Sequence, residues 1–260
     1  MIIDGEWYNG MYRFYVNKSS CHETTVSITG GDVNHIKNVL RMHAGEKITA
    51  CDGEGKDYIC SISSITQDEV IADIETIKKS KGELLKHIVL YQGLPKKDKM
   101  ELIIQKMVEL GVNEIVPVMT KRTIVKLDDE KKETKKLERW NEIARAAAMQ
   151  SERGIIPKVS PAMAFKTAVC RAVKRGSAII PYELEGGIAR SQGIIDEICG
   201  DDAADEIGIF IGPEGGFEES EVAFANESGI KSVTLGHRIL RTETAGMCTL
   251  SVIMFKLEKD

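Results

Sequence analysis

Two glycine-containing turns near the end of the chain constrain its fold more than any other feature. The first, residues 211–216, reads IGPEGG, and the second, residues 235–245, reads LGHRILRTETA. Each turn follows a short apolar run rich in β-branched residues and precedes a helical pattern. Two successive strand–turn–helix units predict an α/β domain that presents both turns at one edge of a sheet. In open α/β sheets, that carboxyl edge is where ligands bind.

The first turn has the composition of a loop that brings its backbone close to a ligand. Glycine permits positive φ angles and close approach of backbone N–H groups, whereas Pro213 fixes one φ angle and removes one donor. Glu218 and Glu219 then open a helix at the end where negative charge is favourable. The chain has neither a Gly-Lys-Ser/Thr sequence nor a GxGxxG pattern here, which argues against a nucleotide-phosphate enzyme. An ordinary strand-to-helix connection is the other alternative.

The same two segments resemble RNA methyltransferases of the SPOUT class and, more narrowly, the 16S ribosomal RNA uracil-N3 methyltransferase (RsmE) family. The resemblance implies a C-terminal SPOUT domain, an α/β fold with a trefoil knot and a mostly parallel sheet, that binds S-adenosylmethionine. The knot is implied by the resemblance alone, because no periodicity in the sequence reveals one. The implied cofactor contacts come from three turns and comprise Tyr182, Leu184, Ile211, Gly212, Gly215, Gly216, Leu235, Gly236, Ile239, Leu240, Thr244 and Ala245.

Methyl transfer to N3 of uracil, the reaction that the resemblance implies, requires an ionised imide. If the imide pKa lies about two to three units above neutrality, ionisation costs about 3–4 kcal/mol, which a base or a nearby cation must offset. Arg241, immediately before a helix start, is the candidate for contacting the uracil oxygen or a phosphate, with a structural salt bridge as the alternative. Glu214 is a candidate base, with capping of backbone amides as its alternative. Thr244 completes the candidate catalytic residues.

Residues 11–78 predict a small β-rich domain. Short strands that close on themselves suggest a barrel. A helix interrupts the strands and places Val33, Ile36, Val39 and Leu40 on one face. The segments 11–16 and 35–41 resemble the PUA-like β-barrel domain of the same family. The strand candidates lie at 12–16, 25–28, 47–50, 58–62 and 70–74.

The PUA-like resemblance implies that this part of the chain binds RNA. Cationic side chains can contact phosphate, and Tyr12 and Phe14 could stack on bases, with a place in the core as their alternative. Lys97 and Lys99 oppose the dipole of the helix that begins near them, so phosphate contact or simple solubility must account for them. The candidate RNA-binding residues are Arg13, His35, Arg41, Lys97, Lys99 and Arg122.

A polar linker at 77–83 separates this domain from a predicted second domain at 84–260. Strand, helix and strand with few connecting residues predict parallel pairing. Trp140 lies in the apolar stripe of a long helix and is expected in the core. The predicted strands are 87–94, 114–119 and 177–183, and the predicted helices are 100–110, 131–153, 161–175, 192–199 and 242–257.

Composition limits the cellular location and the ligands that we expect for such a chain. No apolar run approaches the ~18 residues of a membrane span and no signal peptide is visible, so we expect a cytoplasmic protein without membrane contact. The six cysteines and five histidines are scattered, which predicts reduced thiols and no metal site. The net charge of −5 argues weakly against nucleic acid, but lysine-rich residues 86–139 and acidic residues 183–227 allow a basic face.

The family resemblance also implies partners. It implies a homodimer that modifies a uridine near the decoding centre of 16S ribosomal RNA in the 30S subunit. A non-catalytic RNA-binding ribosome factor built from the same parts is the alternative. Binding of S-adenosylmethionine separates the two hypotheses.

Overall fold

The computed structural model describes residues 11–96, 98–124, 130–182 and 187–258, which form two compact units. Unit 1 comprises residues 11–83 together with 152–156. Unit 2 comprises the described residues of 84–151 and 157–258. No helix within these ranges is both long enough and apolar enough to span a membrane.

Unit 1 is built on one curled, five-stranded sheet. Strand β1 pairs in parallel with β3, and all other pairs are antiparallel, in the order β1-β3-β4-β5-β2. Alternate side chains of the strands meet on one face, where Val26, Ile48 and Ile62 are buried. This PUA-like half-barrel confirms the fold predicted for the start of the chain. Its strands are β1 (Arg13–Tyr15), β2 (Thr25–Thr29), β3 (Lys47–Cys51), β4 (Lys56–Ile65) and β5 (Glu69–Lys79).

The helix predicted in unit 1 has a different geometry from the one expected. A short α-helix, α1 (Gly31–Asn34), continues as a π-helical turn over His35–Val39. Val33 and Ile36 enter the core, whereas Val39 is 63% exposed. The prediction that Val39 shares their face is wrong, because a π-turn closes i→i+5 hydrogen bonds and rotates later residues off the α-helical stripe.

Residues 152–156 belong to unit 1 through buried polar contacts. Arg153 Nη2 lies 2.6 Å from Glu83 Oε2, and their side chains are 3% and 8% exposed. The backbone N–H groups of Gly154 and Ile155 also donate to Glu83 Oε1, at 2.9 and 3.0 Å. The hydroxyl of Tyr15 donates to the carbonyl of Arg153. A single buried carboxylate is thus satisfied by a charge and two amides from this segment.

Unit 2 is organised on a seven-stranded sheet in which every observed pair is parallel. Six strands follow the order β12-β10-β11-β6-β7-β8, and β9 also pairs with β7. Every residue of β11 is buried, as expected for a parallel strand covered on both faces. The strands are β6 (His87–Gly93), β7 (Glu114–Met119), β8 (Lys158–Val159), β9 (Met163–Ala164), β10 (Ser177–Pro181), β11 (Glu206–Ile211) and β12 (Lys231–Val233).

Helices cover both faces of this sheet, which confirms the predicted α/β class. Helix α2 packs against α3 and α7, while the strand residues Tyr91 and Phe210 join α4 and α6 in one core cluster. Trp140 is buried, as predicted. The helices are α2 (Lys99–Glu109), α3 (Glu130–Gln150), α4 (Phe165–Arg175), α5 (Ile188–Cys199), α6 (Glu219–Glu227) and α7 (Thr242–Leu257).

One predicted helix starts later than expected. The helix predicted over 161–175 begins only at Phe165, because Met163 and Ala164 pair with the end of β7. The sheet order matters more for function. Strands β12, β10 and β11 are neighbours and run the same way, so their carboxyl ends at Val233, Pro181 and Ile211 lie side by side.

Candidate active site

A cavity of about 690 Å³ opens at the carboxyl ends of these three strands. Its volume falls in the range of small-molecule sites, roughly 300–1,000 Å³. Its wall is formed by the end of β10 with Tyr182, the turn after β11 and the loop between β12 and α7. The lining residues are Lys99, Arg122, Pro181, Tyr182, Ile211, Gly212, Pro213, Glu214, Gly215, Gly216, Phe217, Glu219, Thr234, Leu235, Gly236, Arg238, Ile239, Leu240, Arg241, Thr242 and Ala245.

The turn after β11 folds tightly back on itself. A Cβ at Gly212 would lie 3.0 Å from the Cα of Gly216, so no side chain fits there without moving the turn. Gly216 has φ +69° and donates its N–H to the carbonyl of Pro213 at 2.8 Å. Helix α6 then starts from a capping box in which the side chains of Glu218 and Glu221 accept each other's backbone N–H. These local bonds hold the turn open towards the cavity.

In the loop between β12 and α7, several backbone N–H groups have no hydrogen-bond partner among the described residues. Gly236 has φ +104°, a conformation that strongly favours glycine. The N–H groups of Leu235, Ile239 and Leu240 donate to no other residue that the structure describes. Their position on the cavity wall leaves these donors available to a ligand that offers acceptors.

A buried hydrogen-bond chain connects the two loops from behind. The hydroxyl of Thr242 donates to the carbonyl of Gly212 at 2.6 Å, and Gln92 Nε2 donates to the Thr242 hydroxyl at 2.9 Å. Gln92 is fully buried and Thr242 nearly so. The first residue of α7 is therefore attached directly to the turn after β11.

Charge on the cavity wall is arranged around Lys99. Its Nζ lies 3.4 Å from Glu214 Oε1 and 3.3 Å from Glu243 Oε2. The Glu214 carboxylate also accepts the backbone N–H of Lys96 at 3.1 Å. Burial alone would raise the pKa of Glu214, but hydrogen bonds from its own backbone, from the Lys96 N–H and from Lys99 lower it. Glu214 is therefore held as a carboxylate.

The arginines on the wall differ in their surroundings. Arg122 donates from Nη1 to the carbonyl of Gly215 at 2.6 Å and so supports the turn after β11. Arg238 and Arg241 are exposed and form no ion pair with another described residue. Their guanidinium groups are therefore available to contact a ligand at the mouth of the cavity.

The structure brings most of the predicted site residues of this unit together. Thr244 is the exception, since it is exposed on the first turn of α7 and does not line the cavity. Leu184 and Lys97 lie outside the described residues. The predicted residues that do line it are Tyr182, Ile211, Gly212, Glu214, Gly215, Gly216, Leu235, Gly236, Ile239, Leu240, Arg241, Ala245, Lys99 and Arg122.

Sequence reasoning missed several lining residues. Arg238 lies inside the recognised second turn, two residues after Gly236, and a free cation there could have been proposed. Thr242 also lies in that turn, but its contact with Gly212 across thirty positions has no sequence signal. Gln92 stands behind the wall rather than on it, so only the fold reveals it.

The candidate RNA contacts of unit 1 have contrasting environments. Arg13 donates from both terminal nitrogens to Asp57 at 2.8 Å, and its side chain is 17% exposed. His35 is exposed beside the edge of the buried Phe14 ring, and Arg41 is exposed with φ +55°. Phe14 is a core residue, whereas Tyr12 is 47% exposed. His35, Arg41 and Tyr12 are thus accessible to RNA, and Arg13 is occupied.

Family comparisons agree with this geometry. Residues 82–254 match the model of the RNA methyltransferase domain, and residues 28–75 match that of the RNA methyltransferase PUA domain. In the described ranges, no cluster of three or more His, Cys, Asp or Glu side chains could hold a metal. The parallel sheet, the cavity at its carboxyl edge and the two matches define a protein of the RNA methyltransferase class.

Relatives cover nearly the whole chain. The ribosomal RNA small subunit methyltransferase E of Bacillus subtilis (strain 168) is 37% identical over 254 residues, 95% of this chain and 98% of the relative. The chain belongs to the ribosomal RNA small subunit methyltransferase E family. The protein of that name from Mesomycoplasma hyopneumoniae (strain 232) is 34% identical over 93% of this chain and 98% of its own. A crystal structure of the Neisseria gonorrhoeae protein bound to S-adenosyl methionine has a TM-score of 0.74 at 32% identity, covering 94% and 97%.

Proposed function

We propose that this protein transfers a methyl group from S-adenosylmethionine to N3 of one uridine of 16S ribosomal RNA, near the decoding centre of the assembled 30S subunit. The observation that carries the proposal is the convergence of three strand ends on one cavity, with exposed arginines at its mouth. When bound, S-adenosylmethionine supplies a methyl group activated by its sulfonium. The chain's own residues must hold this molecule, exclude water and activate the uracil.

The cavity fits an adenosyl group. Its volume is sufficient, and its wall combines apolar side chains such as Ile211 with the N–H groups of Leu235, Ile239 and Leu240, which donate to no other described residue. Glycine at position 212 lets the backbone there approach the backbone of Gly216 closely. We assign cofactor contacts to these residues and to Tyr182, Gly216 and Gly236. The contacts expected from Leu184 and Thr244 are carried by the family resemblance.

Activation of the uracil is assigned to cations rather than to a strong base. Glu214 has a lowered pKa, and a carboxylate that binds protons weakly is a poor acceptor for an imide proton. Arg241 lines the cavity and has no ion-pair partner among the described residues. Its guanidinium can donate two hydrogen bonds to a uracil oxygen or a phosphate, which would favour the ionised imide.

RNA binding is assigned to both parts of the chain. We place a PUA-like RNA-binding domain at 11–78 and the methyltransferase domain at 84–260. In the first, exposed His35 and Arg41 are the contacts that the structure supports best.

A homodimer is part of the proposal. On α7, Phe255 is 82% exposed and Val252 is 40% exposed, and this apolar surface supports an interaction site on the helix. The family resemblance carries the choice of a second copy as the partner.

One experiment tests the proposal directly. Purified full-length protein is incubated with radiolabelled S-adenosylmethionine and either 30S subunits or protein-free 16S ribosomal RNA, and the modified base is mapped. We expect one N3-methylated uridine, formed much faster on 30S subunits. Methylation elsewhere would refute the assigned target. Absence of S-adenosylmethionine binding by calorimetry would instead support the non-catalytic RNA-binding alternative.

A further inference from the structure

Gln92 is a fully buried polar side chain at the carboxyl end of β6 that the proposed chemistry does not use. We propose that Gln92 is a positioning residue: through the Thr242 hydroxyl it locks the turn after β11 to the start of α7 and thereby sets the shape of the cofactor cavity. The proposal rests on the proposed function for the identity of the ligand. Gln92 itself does not line the cavity.

The direction of the hydrogen bonds follows from the number of protons. The Thr242 hydroxyl has one proton, and it is directed to the carbonyl of Gly212 at 2.6 Å. That hydroxyl therefore accepts from Gln92 Nε2, which also donates to the carbonyl of Gly93 at 3.0 Å. The amide group thus fixes the hydroxyl rotor, and the hydroxyl fixes the turn.

A second observation shows that β6 ends directly against the same turn. A Cβ on Gly93 would lie 2.6 Å from Pro213 Cδ and 2.7 Å from Pro213 N. The strand end, the turn and the helix start therefore meet at one point. A small rotation of any of the three would move lining residues of two cavity loops together.

The side-chain oxygen of Gln92 indicates that fold stability alone does not account for a glutamine at this position. Gln92 Oε1 is buried and has no hydrogen-bond partner among the described residues. A buried acceptor left unpaired is destabilising, and an apolar side chain of the same length would avoid that penalty. The donor end of the amide compensates by ordering the loops, a role that methionine cannot fill.

The test separates loop positioning from general stability. We would measure the unfolding midpoint of the ligand-free protein and the Kd for S-adenosylmethionine in wild type, Gln92→Met and Thr249→Val. Thr249 is a matched control, since its buried hydroxyl also lies on α7 and, among the described residues, bonds only back to the carbonyl of Ala245 at 2.8 Å. For Gln92→Met we expect an unchanged or higher midpoint and a Kd about tenfold higher, the loss of roughly one buried hydrogen bond. Thr249→Val should keep the wild-type Kd.

A Gln92→Met protein with a Kd within twofold of wild type would overturn the proposal. If Gln92→Met lowers both the unfolding midpoint and the affinity for S-adenosylmethionine, the variants Thr242→Ser and Thr242→Val distinguish loop positioning from general stability. Serine keeps the hydroxyl and should bind S-adenosylmethionine within about threefold of wild type, whereas valine should bind at least about tenfold more weakly. Equal losses of affinity in Thr242→Ser and Thr242→Val would reject the positioning role. Failure of the wild-type protein to bind S-adenosylmethionine would count against the proposed function instead.

Discussion

The ammonium of Lys99 lies 3.4 Å from the Glu214 carboxylate on the wall of the cavity. Glu243 approaches the same ammonium to 3.3 Å from behind the wall. One cation between two carboxylates leaves that region without excess positive charge. The net positive charge of the cavity wall therefore comes from its arginines, of which Arg238 and Arg241 form no ion pair with another described residue.

This arrangement predicts the behaviour of Glu214→Gln. Burial would raise the pKa of Glu214, but its hydrogen bonds and the Lys99 charge lower it, so the group stays ionised throughout pH 6–9. We expect the pH–rate profile of methylation to keep its shape over this interval in the Gln variant. Any stability that the carboxylate contributes is present above the ordinary glutamate pKa of about 4.3 and is lost as pH falls through the lowered value. A variant that loses most of its activity near neutral pH and regains it as pH rises towards the imide pKa would restore Glu214 as the general base.

Gly236 and Gly229 form a matched pair for testing the cavity wall. Their φ angles are +104° and +103°, and an added Cβ would meet no atom within 4 Å at either position. Only Gly236 lines the cavity. Alanine should lower the unfolding midpoint similarly at both sites, since the left-handed region costs L-residues about 1–2 kcal/mol. Only Gly236→Ala should raise the Kd for S-adenosylmethionine, by about tenfold. Equal affinities in calorimetry would remove Gly236 from the site.

Elements set by local spacing were predictable from the sequence. Helix α7 spans the predicted 242–257, and β7 spans the predicted 114–119, because apolar periodicity decides which face of such elements is buried. The π-turn at 35–39 was not predictable, because the same apolar residues also satisfy an α-helical period. The hydrogen bonds that Glu83 accepts from Gly154 and Ile155 join residues about seventy positions apart and leave no periodic signal.

The site was partly predictable for the same reason. Glycine-rich turns after short strands identify the wall of the cavity, because parallel strands bring their carboxyl ends to one edge. Which cations are free is a property of packing. The sequence treats Lys99, Arg122 and Arg241 alike, whereas the fold pairs the first with carboxylates and the second with a carbonyl.

Arg241→Lys tests the assigned role in chemistry. Lysine keeps the charge but cannot donate two parallel hydrogen bonds to a planar acceptor. Single-turnover methylation should slow by about a hundredfold, while the Kd for S-adenosylmethionine stays within about threefold. Arg122→Lys is the contrast, since Arg122 supports the cofactor turn through Gly215 and its loss should alter the Kd first. Equal losses of rate and cofactor affinity in Arg241→Lys would refute its role.

Arg13 and Arg41 should separate fold stability from RNA binding in unit 1. Arg13→Gln breaks a two-pronged, mostly buried ion pair with Asp57 and should destabilise the protein by about 2 kcal/mol, as should Asp57→Asn. Arg41 is exposed, so Arg41→Gln should leave the unfolding midpoint unchanged. That variant should instead lower the slope of log K against log salt for RNA binding by about one. An unchanged slope in fluorescence titrations would exclude a phosphate contact at Arg41.

Glu114 offers a prediction at the opposite edge of the sheet, where β7 begins. Its carboxylate accepts hydrogen bonds from Arg171 and Ser160, and the Glu114 and Arg171 side chains are 13% and 22% exposed. Burial would raise the pKa of Glu114, but these bonds and the Arg171 charge lower it. Glu114→Gln should therefore reduce the free energy of unfolding by about 2 kcal/mol at pH 7.

The contribution of Glu114 should depend on pH in one direction. Because its folded pKa is lowered, the stabilisation is full above the ordinary glutamate value of about 4.3 and disappears as pH falls through the folded value. Urea unfolding at pH 7 and at successively lower pH should show the wild-type and Glu114→Gln curves converging. Arg171→Gln should lose a similar amount, and the double variant little more than either single one. Additive losses in that cycle would show that the two side chains act independently.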